Sequence, residues 1–106
     1  MNAMEVLPPP SGDGSVVLDI GRGVGALVVH TAPSLCGLEI EISPAGLHGH
    51  ARRTHVVVRE RHVAGETSFA AVFPALAAGV YVLHGLGAVD DRMVGIREAQ
   101  VVVIDW

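Results

Sequence analysis

Six histidines stand in a chain of 106 residues: His30, His48, His50, His55, His62 and His84. Two of them form His48-Gly49-His50. Neutral imidazole suits zinc, copper or nickel, and a His-x-His pair needs only one or two further donors to close a site. If the segments around Leu38 and Thr54 pair as a hairpin, Glu41 comes close to Arg53 or His55. His48, His50, His55 and Glu41 are then the candidate ligands of a divalent metal. The same hairpin puts Glu39 and Glu41 on the side that carries Arg53, His55, Arg59 and Arg61. That arrangement is also a cross-strand charge ladder on a solvated face, each pair of which is worth a few tenths to ~1 kcal/mol. As a ladder it makes Glu39, Arg53, Arg59 and Arg61 a candidate interaction face. His30 and His84 close apolar runs and are expected at one end of the fold.

Candidate nucleophiles are few. Cys36 is the single cysteine. It follows Pro33-Ser34-Leu35 in a turn with no base close in sequence, so it reads as a small, half-buried filler. No intrachain disulfide can form, which fits a reducing compartment and an expected cytoplasmic location. None of the five serines lies in a Gly-x-Ser-x-Gly elbow. All seven basic residues are arginine, so a Schiff base, a P-loop lysine and a lysine–asparagine isopeptide bond are ruled out. A net charge of −4 argues against a nucleic-acid partner, which requires a basic footprint. No apolar run approaches the ~20 residues of a membrane helix, and Met1–Pro10 lacks the basic and apolar regions of a signal peptide. No catalytic residue is identified.

The elements that would position these groups are strands. Half the residues are hydrophobic, enough for a single core without a disulfide or structural metal. Residues 1–14, with Pro8-Pro9-Pro10 and Ser11-Gly12-Asp13-Gly14, read as a flexible tail. Beyond it, short β-branched runs alternate with turn residues. Predicted strands are Val16–Ile20, Ala26–His30, Leu38–Ile42, Thr54–Glu60, Ser68–Phe73, Val80–His84, Met93–Ile96 and Val101–Asp105. Leu38, Ile40 and Ile42 alternate with Glu39 and Glu41, the period of a half-buried strand. Strands spaced 8–14 residues apart predict an all-β fold, one antiparallel sandwich of seven to eight strands over residues 15–106. The best helical candidate is Pro74–Ala78, ended by Gly79.

Two stretches resemble known families. Val16-Val17-Leu18-Asp19-Ile20-Gly21-Arg22-Gly23-Val24-Gly25 resembles the glycine-rich first motif of class I S-adenosylmethionine-dependent methyltransferases, and Gly37-Leu38-Glu39-Ile40-Glu41 resembles the second. The resemblance implies that Gly21, Gly23 and Gly25 approach the cofactor and that Glu41 holds its ribose. It also implies a helix after Gly25. The residues there, Ala26-Leu27-Val28-Val29-His30-Thr31-Ala32-Pro33, cluster β-branched Val28, Val29 and Thr31 and end in proline, which favours a strand and makes Gly21–Gly25 a hairpin turn. Ser68–Leu83, with Gly79-Val80-Tyr81-Val82-Leu83, is similar to a segment of transthyretin-like and collagen-adhesin B-type sandwiches. That likeness implies a turn at Gly79, with Tyr81 and Leu83 pointing inward. The whole chain also resembles a group of short actinobacterial proteins of no established function, some carrying a phospholipase label that no serine motif here supports.

The leading expectation is a small non-enzymatic binding or assembly module without a cofactor, acting through the charged sheet face or an exposed strand edge. Its partner would be another protein or a second copy, with neither nucleic acid nor membrane involved. The alternatives are a divalent-metal protein with the His-x-His loop site and a fragment of an S-adenosylmethionine-binding methyltransferase.

Overall fold

The computed structural model describes residues 18–46, 53–85 and 90–106. The tail 1–14, Val16 and Val17 of the predicted first strand and the His48-Gly49-His50 loop lie outside them. Eight strands follow in order: β1 (Val24–His30), β2 (Glu39–Pro44), β3 (Thr54–Val57), β4 (Arg59–Val63), β5 (Glu66–Ala77), β6 (Gly79–Leu83), β7 (Arg92–Ile96) and β8 (Val101–Asp105), with a 3-10 turn at Pro33–Leu35. They form two four-stranded sheets, ordered β4-β5-β1-β8 and β3-β2-β6-β7. The expected all-β sandwich is therefore present. One pairing departs from the antiparallel expectation: β1 and β8 run parallel.

Period-2 alternation supplies the core. Ile40 and Ile42 of β2 point inward and are shielded from solvent, as do Leu27 and Val29 of β1 and Val94 and Ile96 of β7. These close on Ala71 and Phe73 of β5 and Leu83 of β6. Phe73, the largest fully buried side chain, anchors the interior. Val102, Ile104 and Trp106 cover it from the β8 side. Tyr81 packs against the same core. Its hydroxyl donates to the Ala77 carbonyl at 2.6 Å, and burial raises its pKa above the usual phenol value.

The predicted strand Thr54–Glu60 is split at Val58. Upstream of it β3 pairs with β2, and downstream β4 pairs with β5 in the opposite sheet. A strand that changes sheets makes a corner of the sandwich. Val58 is completely buried at that corner. Its N–H donates to the Leu38 carbonyl at 2.9 Å and its own carbonyl accepts from Gly37 N–H at 2.8 Å. Hydrogen bonds to the run-in of β2 thus compensate the backbone of the bend.

Pro74–Ala78 is not a helix. Residues up to Ala77 continue β5, because Leu76 is buried against β1, where it pairs with Gly25. That burial outweighs the few tenths of a kcal/mol per residue by which alanine favours a helix. Two steps along β1, Gly25 to Leu27, match three along β5, Leu76 to Phe73. The extra residue is a β-bulge, and Pro74 sits within it, beyond the last residue that β4 pairs. Its missing N–H therefore breaks no ladder.

The glycines of the methyltransferase-like motif perform different tasks. A two-residue turn at Arg22-Gly23 links Gly21 and Val24, whose backbones exchange hydrogen bonds of 3.0 and 3.2 Å, and Gly23 takes the positive φ of 73° that the turn needs. After Gly25 the chain is strand β1 rather than helix. Leu18–Ile20 is not in a strand, so the turn opens β1 without closing a hairpin against the predicted first strand. Gly25 lies under the β7–β8 connection. A Cβ there would collide with the Arg97 carbonyl oxygen and come within 2.9 Å of Ile96 Cγ2 and 3.0 Å of the Gln100 carbonyl oxygen. Two backbone atoms cannot yield as a side-chain tip would. Gly25→Ala should cost about 3 kcal/mol or more in urea unfolding, against under ~1 kcal/mol for Gly21→Ala, whose Cβ meets nothing within 4 Å. Equal effects of the two changes would contradict this packing.

Candidate functional site

The β2–β3 hairpin forms as the sequence suggests. Glu41 pairs in register with His55, and Glu39 with Val57. The ion pairs run diagonally: Arg53 Nη1 donates to Glu41 Oε1 at 2.7 Å, and His55 Nε2 lies 3.6 Å from Glu39 Oε2. All four side chains are solvent-exposed to a third or more, so each pair contributes at most ~1 kcal/mol. Of the four candidate metal ligands, Glu41 and His55 are brought side by side, while His48 and His50 fall outside the described residues. Among the described residues no three His, Cys, Asp or Glu side chains gather at one point.

Arg59 and Arg61 do not belong to this face. The corner at Val58 carries both onto β4 in the other sheet. Arg61 is moreover buried, with 8% exposure. Its Nε and Nη2 both donate to the Ala70 carbonyl, at 3.2 and 3.1 Å. Burial, and then the nearby Arg59 guanidinium, lower its pKa from the ordinary arginine value. The interaction face expected from sequence therefore reduces to Glu39, Glu41, Arg53 and His55.

His30 and His84 occupy one end of the sandwich. His30 is the register partner of Asp105, and His84 follows Leu83, the partner of Arg92. Arg92 Nη1 donates to the Asp105 carbonyl at 2.9 Å and ties the two sheets at this end. His84 shares a 2.8 Å hydrogen bond with Ser43 through Nε2 and Oγ.

The corner opens a cleft of about 390 Å³ over Val58, edged by Cys36, Arg59, Glu60 and His62. Cys36 is exposed, contrary to the half-buried filler expected. His62 stands between Glu60, 3.2 Å from its Nε2, and Thr67 Oγ1, 3.3 Å from its Nδ1. A thiol, an imidazole and a carboxylate thus border one cleft. Sequence reasoning missed the grouping because Cys36 and His62 come from elements that meet only through the change of sheet.

Among the described residues the fold leaves four strand edges, β4 and β8 in one sheet and β3 and β7 in the other. They differ in chemistry. β4 reads Arg-Glu-Arg-His-Val, β3 is four residues long after Arg53, and β7 starts with Arg92 and contains Gly95. Charges, short length and glycine all discourage pairing at an edge. β8 reads Val-Val-Val-Ile before its closing Asp105, and Val103 is 57% exposed. Its hydrogen-bonding parity can be read from two bonds to β1: Ala26 N–H donates to the Gln100 carbonyl at 3.0 Å, and Trp106 N–H to the His30 carbonyl at 2.9 Å. In a parallel ladder this alternation directs the polar groups of Val102 and Ile104 to β1 and those of Val101, Val103 and Asp105 away from it. Among the described residues no strand pairs with that outer side.

No family model, curated protein or solved structure matches the chain. Among the described residues no helix is long and apolar enough to cross a membrane.

The two β4 arginines separate burial from charge. Arg61→Ala leaves the Ala70 carbonyl without its guanidinium donors and should cost about 1–3 kcal/mol in chemical denaturation. Arg59→Ala, on an exposed neighbour, should stay within about 0.5 kcal/mol of the parent. Equal costs would mean that the Arg61 hydrogen bonds add nothing to stability.

Proposed function

We propose that this chain is a small non-enzymatic binding and assembly module whose interaction surface is the free edge of β8. The reading rests on one observation: β8 alone among the described edges combines an uncharged run of β-formers, an exposed central valine and outward-facing backbone donors and acceptors. Strand addition at such an edge draws affinity from main-chain hydrogen bonds and selectivity from alternate side chains. The partner class is protein. A net charge of −4 disfavours nucleic acid, and the single cysteine is compatible with the cytoplasm. With dilute isotope-labelled chain, a soluble alternating Thr-Val peptide should shift the amide resonances of Val101, Val103 and Asp105. Shifts confined to the Glu39/Glu41/Arg53/His55 face, or none at all, would overturn the proposal.

A second reading is favoured by the register pairing of Glu41 with His55. Together with His48 and His50 they would hold a divalent cation of the zinc, copper or nickel type, Glu41 exchanging its Arg53 partner for the metal. The chain should then take up one equivalent of metal, and a His48→Ala/His50→Ala double variant should take up none. An unchanged calorimetric trace at micromolar metal would remove this reading.

A further inference from the structure

We propose that the strand received by the β8 edge is β8 of a second copy, antiparallel to the first about a two-fold axis at Val103. This inference rests on the edge-pairing reading above and adds the identity of the partner.

The register follows from parity. Val101, Val103 and Asp105 carry the outward N–H and C=O groups, so an antiparallel copy centred on Val103 makes Val103 its own hydrogen-bonded partner and sets Val101 opposite Asp105 on each side. Such a contact uses the same patch on both copies and closes as a dimer. Side chains agree with it. Val103 meets Val103 on the outer face, and Val102 meets Ile104 on the face that continues the core. The two Asp105 carboxylates stand at opposite ends, about 13 Å apart at the usual rise per residue, so no like charges oppose each other. Arg92 engages the Asp105 carbonyl, but a carbonyl oxygen has two lone pairs and can accept a second bond.

A transverse row of valines points to a second copy rather than an arbitrary strand. Val72 of β5 pairs in register with Val28 of β1, which pairs with Val103 of β8. Val72 and Val28 are half-buried, and the row ends at the exposed Val103. A second copy prolongs it through Val103, Val28 and Val72 in reverse order, giving one unbroken apolar row across the six central strands of an eight-stranded sheet. The β4 edge offers no such match, since an antiparallel copy centred on Arg61 would set two guanidinium-bearing residues opposite each other. Five residues per copy bury less than the roughly 800 Å² per partner of a standard interface, so the dimer is weak and concentration-dependent.

Sedimentation velocity on the full chain from micromolar to millimolar concentration tests this. The weight-average mass should climb from that of the 11.0 kDa monomer toward twice that value. Val103→Lys places like charges on the axis and should weaken dimerisation roughly tenfold or more. Val103→Pro removes an outward N–H without removing a bond to β1 and should do the same. Circular dichroism and a thermal melt confirm that at least one variant is folded. A monomer throughout, or a dimer that a folded variant leaves unchanged, overturns the proposal. If the Thr-Val peptide still shifts the β8 amides of a strictly monomeric chain, self-pairing fails while edge binding stands; if neither occurs, both fail.

Discussion

At Gly25 the first strand runs directly beneath the connection between β7 and β8, at a separation that admits no side chain, and the rest of the sandwich is arranged around that approach. Three hydrogen bonds hold the connection there. Ala99 N–H donates to the Val24 carbonyl at 2.8 Å, Ala26 N–H donates to the Gln100 carbonyl, and Gly23 N–H donates to Glu98 Oε1 at 2.8 Å. The chain thereby leaves one sheet at β7 and enters the other at β8, already aligned with β1. Parallel pairing needs a crossover, and the chain between β1 and β8, all the intervening strands, supplies it. This placement also selects which backbone groups of β8 face outward.

The second constraint is the corner at Val58. The ten-residue stretch Thr54–Val63, two strands divided at Val58, serves both sheets because Val58 is buried and hydrogen-bonded at the bend. The change of sheet has an electrostatic consequence. It separates the arginines of β4 from the carboxylates of β2, leaving the β2–β3 face with two exposed ion pairs of little energetic weight. Arg61 instead lies against the sheet and gives two hydrogen bonds to one carbonyl. Charged groups that look alike along the sequence therefore do different jobs: Arg53 is a solvated partner of Glu41, and Arg61 is a buried donor.

The edges complete this distribution of charge. β4, β3 and β7 carry the features by which β-proteins discourage unwanted pairing, whereas β8 carries none until its last residue. An unprotected edge is costly to keep, because it invites aggregation as readily as specific recognition. Its outer face joins a valine row that begins at Val72 in the middle of the sheet. That side combines outward backbone groups with apolar shape, whereas the β2–β3 face carries exposed ion pairs.

Much of this was legible in the chain itself. Alternation in β2, the β-branched runs of β1 and β8, and the turn at Arg22-Gly23 follow from local sterics and hydrophobic period, which depend on neighbouring residues alone. Those signals determined an all-β domain and kept the glycine-rich segment from being read as the start of a helix. Tertiary structure decided the remainder. Whether Arg61 is buried, whether Cys36 shares a cleft with His62, whether Pro74–Ala77 extends a strand, and whether β8 runs parallel to β1 all depend on residues distant in sequence. Local propensities differ by tenths of a kcal/mol, while burying a leucine or aligning a ladder is worth several times more. Where the two disagree, packing between distant strands prevails.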